Sequence, residues 1–146
     1  MDVRLCAPKA CWPSKESQAE AQAIASETGA RMTMIEDVEQ AVKGVDFVYT
    51  DVWLSMGEAK EKWAERIELL MPYQVNAGVM QKTGNLRAKY MHCLPAFHST
   101  EGARGKDIEE KFGITAIEVT DEVFESPASI VFDQPDIRLR TITAFL

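Results

Sequence analysis

The segment YMHCLPAFHST, residues 90–100, holds the residue types in this sequence that are best suited to chemistry. One cysteine stands between two histidines and is followed by Leu-Pro. Such a cysteine can bind a metal ion, handle a proton or an electrophile, or simply fill a place in the core. A zinc site through His92, Cys93 and His98 would need a fourth ligand, and six residues across a proline is not a standard zinc spacing for the two histidines. The spacing alone therefore leaves these alternatives open.

A second polar group lies in DVWLSMG, residues 51–57. Asp51 follows an apolar run, and Ser55 precedes a helical pattern whose first free N–H groups can bind an anion. This combination suits an amino-acid zwitterion, with Asp51 for the α-ammonium group and Ser55 with the Met56 N–H for the α-carboxylate. The plain structural interpretation is that serine caps the helix and aspartate forms a turn.

The elements that must position these groups alternate between strands and helices. Predicted strands cover residues 2–8, 31–37, 46–51, 89–95 and, at an edge, 114–119. Predicted helices cover residues 14–29, 37–44, 58–71, part of 73–84, 105–113 and a segment from 134 onward. This order predicts an α/β fold, a Rossmann-like three-layer α/β/α sandwich with a mainly parallel sheet of about five strands. Because ligands bind beyond the carboxyl ends of such strands, we expect Asp51 and Cys93 to share one crevice.

Composition narrows the class of protein. The chain has 146 residues, 46% apolar and 27% charged, which predicts a single globular domain. A net charge of −7 disfavours nucleic acid and anionic membranes as partners, and no apolar run is long enough to span a bilayer. Cys6, Cys11 and Cys93 form no CxxC pair, which favours reduced thiols and a cytoplasmic location. A nucleotide-binding domain is disfavoured because no GxGxxG follows a strand.

Three long, non-periodic strings stand out: residues 92–98, HCLPAFH; residues 49–67, YTDVWLSMGEAKEKWAERI; and residues 118–134, EVTDEVFESPASIVFDQ, followed by Arg138. These strings closely resemble the ornithine carbamoyltransferases. The resemblance covers essentially all 146 residues but only the second half of that family's chain. No STRT phosphate motif of the family's first half occurs here. We therefore expect residues 1–146 to be a single ornithine-binding domain, an excised or truncated half without the carbamoyl phosphate-binding domain.

The resemblance implies a role for each group named above. The stretch that holds the amino-acid end of ornithine corresponds to Asp51, Ser55 and Met56. Cys93 corresponds to the proton acceptor beside the attacking δ-amine. Since a free amine is mostly protonated at neutral pH, a thiol or thiolate here can accept or stabilise that proton.

Carbamoyl phosphate is implied to contact the Cys93–Leu94 backbone and the Arg138 side chain, whose fork of N–H groups suits the oxyanion and the leaving phosphate. The Leu94–Pro95 bond is implied to be cis. Two positions depart from the family pattern, Ser99 and Ile137, and Ile137 removes an amide neighbour of Arg138. No metal ion or other cofactor is required.

The implied partners are L-ornithine, carbamoyl phosphate and the missing domain. The family forms trimers, largely through that domain, so we expect this chain to be a monomer or to associate in a non-native way. The isolated chain is expected to be inactive, because half of the carbamoyl phosphate site is absent. The alternative is a stand-alone amino-acid-binding or interaction protein that kept the cleft and lost catalysis.

Overall fold

Parallel strands form the framework of the chain. The computed structural model describes residues 1–53, 62–101 and 103–137, and these contain β1 (Asp2–Cys6), β2 (Arg31–Ile35), β3 (Phe47–Thr50) and β4 (Lys89–His92). β1 pairs with β2 and β3 pairs with β4, both in parallel. The predicted α/β class is confirmed. The single sheet of about five strands is not, because the four strands of the described ranges form two separate pairs.

Helices connect the strands. They are α1 (Lys15–Thr28), α2 (Val38–Val42), α3 (Trp63–Leu70), α4 (Ala77–Lys82), α5 (Ala103–Phe112) and α6 (Asp121–Phe124), with short 3₁₀ helices at Lys9–Cys11 and Met71–Tyr73 and a further helical stretch at 133–137. The helices predicted to begin at 14 and 37 are both capped there: Ser14 Oγ accepts the Ser17 N–H at 3.1 Å and Asp37 Oδ1 accepts the Gln40 N–H at 2.9 Å. Within the described ranges, each helix is too short or too polar to cross a membrane.

The predicted edge strand at 114–119 is wrong. Only Val119 forms a bridge, a single parallel one with Val75. Residues 128–130 lie beside β4 instead: Tyr90 N–H donates to the Ala128 carbonyl, and Ile130 N–H donates to the Tyr90 carbonyl, both at 2.9 Å. Residues 117–119 are buried, but beyond the bridge at Val119 the segment forms no ladder with a described strand.

Among the described residues, two hydrophobic clusters form the core. The first contains Val75, Tyr90, Val119, Val123, Phe124 and Val131. The second contains Trp63, Ile67, Ile108 and Ile117. Ile117 and Val119 thus belong to different clusters, and the residue between them, Glu118, is wholly buried. Trp63 and Ile67 are on the inward face of α3, one helical turn apart.

A groove of about 640 Å³ separates the two strand pairs. Its lining includes Val3 and Arg4 of β1 and Phe47 and Tyr49 of β3. The groove lies along the strands and includes neither Asp51 nor Cys93. The chemistry-bearing residues are therefore at the carboxyl ends of the strands, apart from this groove.

Candidate functional site

The register of β3 and β4 brings Asp51 and Cys93 together. Thr50 and His92 are partners at the last position of the two strands. Asp51 follows Thr50 and Cys93 follows His92, so the two residues lie side by side. The Cys93 Sγ lies 2.8 Å from Asp51 Oδ1. The two side chains are thus in contact at the ends of neighbouring strands, as a shared site requires.

The Asp51–Cys93 contact keeps the thiol protonated. Burial, the hydrogen bond donated to Asp51 and the negative charge of Asp51 raise the pKa of Cys93, while the Val52 N–H acts in the opposite direction. Asp51 Oδ1 also accepts the Val52 N–H at 2.8 Å. Because Asp51 is exposed, its carboxylate can receive a cationic ligand while it holds the thiol proton. The pair can accordingly bind an ammonium group and relay a proton.

His92 lies on the opposite face of β4, in the core, with 1% of its surface exposed. Its Nε2 is 3.3 Å from the Pro95 carbonyl, which can only accept, so Nε2 carries the proton. Its Nδ1 then accepts from Thr50 Oγ1 at 2.8 Å, and the Tyr90 hydroxyl lies 2.7 Å from the same Oγ1. Burial lowers the pKa of His92. Both ring nitrogens are thus used to hold the end of β4 and the Pro95 turn.

His98 belongs to a different cluster. Its Nδ1 lies 2.7 Å from Asp121 Oδ1, and its ring stacks on Phe124 with centroids 3.6 Å apart. Glu125 completes a group whose possible ligand atoms all lie within 4.8 Å. Among the described residues, this is the group of three or more side chains whose atoms lie close enough to bind one metal ion. It contains neither His92 nor Cys93. Within the described residues, His92, Cys93 and His98 therefore do not form one group of candidate metal ligands.

Glu118 is the residue that the sequence interpretation missed. It is 0% exposed, and its two carboxylate oxygens accept main-chain N–H groups from two different loops: Trp53 at 3.1 Å and Phe97 at 3.0 Å. We call residues 51–53 the β3 loop and residues 93–98 the β4 loop. Burial raises the pKa of Glu118, and these N–H groups oppose that rise. The available signal was an acidic residue inside the apolar run ITAIEV.

The β4 loop carries the remaining described site residues. The Leu94–Pro95 peptide bond is cis, as expected, and the Leu94 side chain is 40% exposed. The Cys93–Leu94 backbone is therefore at the accessible edge of the loop. Ser55, Met56 and Arg138 lie outside the described residues.

Comparison with known proteins gives one consistent result. Residues 1–146 match the family described as aspartate/ornithine carbamoyltransferase, Asp/Orn binding domain. Ornithine carbamoyltransferase from Pyrococcus furiosus is 35% identical, with a TM-score of 0.75 over 94% of this chain and 38% of that chain. The anabolic ornithine carbamoyltransferase from Campylobacter jejuni is 28% identical, with a TM-score of 0.77 over 99% of this chain and 41% of that chain.

Ornithine transcarbamoylase from Giardia lamblia is 29% identical and has a TM-score of 0.73, over 95% of this chain and 38% of that chain. An N-acetyl-L-ornithine transcarbamylase shares the fold at 23% identity. The chain thus spans about two-fifths of the length of these relatives. Together with the shared Rossmann-like α/β architecture, the match over the whole sequence shows that this chain belongs to the aspartate/ornithine carbamoyltransferase family, as an Asp/Orn-binding domain.

Proposed function

We propose that this chain is the ornithine-binding domain of an ornithine carbamoyltransferase. The proposed reaction transfers the carbamoyl group of carbamoyl phosphate to the δ-amine of L-ornithine and yields citrulline and phosphate. The observation that carries this proposal is the Asp51–Cys93 pair, with 2.8 Å between Sγ and Oδ1, at the carboxyl ends of two adjacent parallel strands. Asp51 lies in the string 49–67 and Cys93 in the string 92–98, both of which resemble ornithine carbamoyltransferases, so geometry and motif support each other.

The charge of the pair favours ornithine over the other acceptors of this family. Ornithine offers two ammonium groups to a site whose described side chains are a carboxylate and a thiol. Aspartate would bring a second carboxylate toward Asp51, which costs electrostatic free energy. N-acetylornithine would bring a neutral amide in place of the α-ammonium group, so Asp51 would lose its counter-charge. In this proposal Ser55 and the Met56 N–H bind the α-carboxylate of ornithine.

The proton step uses the contact that is already present. The δ-ammonium group of ornithine must lose a proton before its nitrogen can attack. As Cys93 Sγ accepts that proton, its own thiol proton passes to Asp51 Oδ1, 2.8 Å away. The freed amine then attacks the carbonyl carbon, and phosphate leaves with the bonding electrons of the broken C–O bond and takes up the second proton that the attacking nitrogen must lose. No covalent bond to sulfur is needed.

Carbamoyl phosphate is proposed to contact the Cys93–Leu94 backbone and Arg138. The exposed edge of the β4 loop supports the first contact, since Leu94 is 40% exposed. We further propose that the remaining phosphate contacts come from a carbamoyl phosphate-binding domain, because this chain aligns with about 38% of the Pyrococcus furiosus relative. Turnover then requires both domains.

The acceptor can be tested with the two domains combined. The carbamoyl phosphate-binding domain of the Pyrococcus furiosus relative is added to this chain, and carbamoylated product is measured with ornithine, aspartate and N-acetylornithine. We expect citrulline with ornithine and a large loss of kcat in Cys93→Ala. Preferred carbamoylation of aspartate or N-acetylornithine would contradict the ornithine assignment. Ornithine binding without any turnover in the combined protein would favour the amino-acid-binding alternative.

A further inference from the structure

The two loops of the site meet at one buried carboxylate. The β3 loop, which carries Asp51, donates the Trp53 N–H to Glu118 Oε1, and the β4 loop, which carries Cys93, donates the Phe97 N–H to Glu118 Oε2. Phe97 is held a second time, since its carbonyl accepts the Ile117 N–H at 2.7 Å. Each loop therefore has its own anchor on the segment 117–118.

Burying the charge of Glu118 costs electrostatic free energy that an apolar residue at this position would avoid, so the carboxylate must serve another purpose. The side chain is 0% exposed and lies between two hydrophobic clusters, so its charge is separated from water. An apolar side chain would leave the Trp53 and Phe97 N–H groups without these acceptors, and each unsatisfied buried donor costs about 1–3 kcal/mol. A carboxylate has two acceptor oxygens on one rigid group, which is what two converging donors from separate loops require.

The position of the anchors determines the geometry of the reacting pair. Trp53 is two residues after Asp51, and Phe97 is four residues after Cys93. The side chains of Trp53 and Phe97 both pack on the cluster that contains Ile117, so main chain and side chain are held at the same place. Movement of either anchor would change the 2.8 Å separation between Cys93 Sγ and Asp51 Oδ1.

We propose that Glu118 is a positioning residue that holds the β3 and β4 loops in register, so that Cys93 and Asp51 can share a proton. The importance of Glu118 for catalysis rests on the proposed carbamoyl transfer. Its role in holding the two loops applies to this chain without any ligand. Glu118 contacts neither reacting group and acts through the two main-chain anchors.

The wild-type chain provides the first test. Amide signals of Trp53 and Phe97 are followed by NMR while the pH is lowered. Both N–H groups bind the same carboxylate, so we expect both signals to move with one common midpoint, above the ordinary range of a glutamate because burial raises the pKa of Glu118. Separate midpoints, or signals that follow no acid titration, would overturn the proposal. This test needs no variant to fold.

Variants provide the second test, with alkylation of Cys93 at fixed pH as the readout, resolved by mass spectrometry. Glu118→Gln keeps the size but offers one acceptor oxygen, and Glu118→Asp keeps the charge but is one methylene shorter. Both should release one loop and loosen the thiol–carboxylate contact that raises the pKa of Cys93, so we expect a several-fold faster reaction.

Two control variants separate positioning from general destabilisation. Glu122→Gln makes the same chemical change at an exposed position of α6, and Val42→Ala removes buried volume on α2. Neither should change the alkylation rate of Cys93. An unchanged rate in both Glu118 variants, or an equal rise in Val42→Ala, would overturn the positioning role. Because no substrate is used, either result stands apart from success or failure of the ornithine assay.

Discussion

At the scale of single residues, the alternation of side chains along β3 and β4 separates two tasks. Thr50 and His92 point into the core and connect Tyr90 to the Pro95 carbonyl by hydrogen bonds. The next residue on each strand faces the crevice, where the thiol of one meets the carboxylate of the other. Because successive side chains point to opposite faces, the last strand residues fix the strand ends in the core and the next residues form the accessible pair.

The thiol–carboxylate contact makes a prediction about Cys93 reactivity. The hydrogen bond to Asp51 and the negative charge of Asp51 both raise the pKa of Cys93, so Asp51→Asn, which weakens the first and removes the second, should lower that pKa. We expect the variant to form thiolate more readily and to react faster with iodoacetamide at pH 8. The control Asp133→Asn, at an exposed position, should react as the wild type does. Cys6, whose pKa is raised to about 11 by burial and by Asp37, is an internal reference of low reactivity. Equal Cys93 rates in Asp51→Asn and wild type would contradict the contact.

Buried His92 makes a prediction about stability and pH. Its pKa in the folded chain is lowered from 6.5 by burial, so its contribution to stability is present above pH 6.5 and is lost as the pH falls through its folded value. Glu118 acts in the opposite direction, because a raised carboxyl pKa gives stability that is lost as the pH rises. In His92→Gln, urea unfolding at pH 7.5 and 5.5 should show a smaller loss on acidification than the wild type. Val42→Ala should keep the wild-type difference, and an unchanged difference in His92→Gln would contradict the assignment.

At the scale of elements, the sequence predicted the helices and strand ends that depend on a few neighbouring residues. Ser14 and Asp37 begin helices as expected, because capping depends on a few neighbouring residues. The carboxyl ends of β3 and β4 were placed well enough to predict that Asp51 and Cys93 meet.

The segment 114–119 was misassigned because its burial comes from distant contacts: Gln74 Nε2 donates to the Ala116 and Ile117 carbonyls at 2.9 and 3.0 Å. Glu118 was missed for the same reason, since its partners lie in loops distant in sequence.

The same segment makes a prediction about stability. Ile117 is 1% exposed in the second core cluster, whereas Ile24 on α1 is 55% exposed. Ile117→Ala should lower the free energy of unfolding by about 2–5 kcal/mol through lost burial and a residual cavity. The matched change Ile24→Ala should stay within about 0.5 kcal/mol of the wild type. Urea denaturation of both variants checks this, and equal losses would mean that 114–119 is not part of the core.

At the scale of the whole molecule, the chain holds one side of a proposed two-domain site. Family membership and fold follow from the entire sequence, but the roles of Ser55, Met56 and Arg138 remain predictions from the resemblance. The chain aligns with 38% of the Pyrococcus furiosus enzyme, and the described part of the site, with an exposed Asp51, is open to solvent. Water competes with substrate for polar contacts in such an open site.

An activity prediction follows for the 146-residue chain alone. We expect no measurable citrulline from ornithine and carbamoyl phosphate, because positioning of two reactants supplies a large part of the rate enhancement. Size-exclusion chromatography should show a monomer. Turnover that co-purifies with the chain and is lost in Cys93→Ala would contradict the proposed need for a second domain.

The most direct test of the central claim is ornithine binding to this chain, followed by NMR of the backbone amides. We predict weak binding, with a Kd on the order of 1 mM, and signal changes at the β3 and β4 loops. Asp51→Ala should abolish these changes because the ammonium group loses its counter-charge, whereas Cys93→Ala should keep most of them. Aspartate at equal concentration should perturb the loops much less. Undiminished ornithine binding by Asp51→Ala, or equal binding of aspartate, would contradict the claim that this is an ornithine-binding domain.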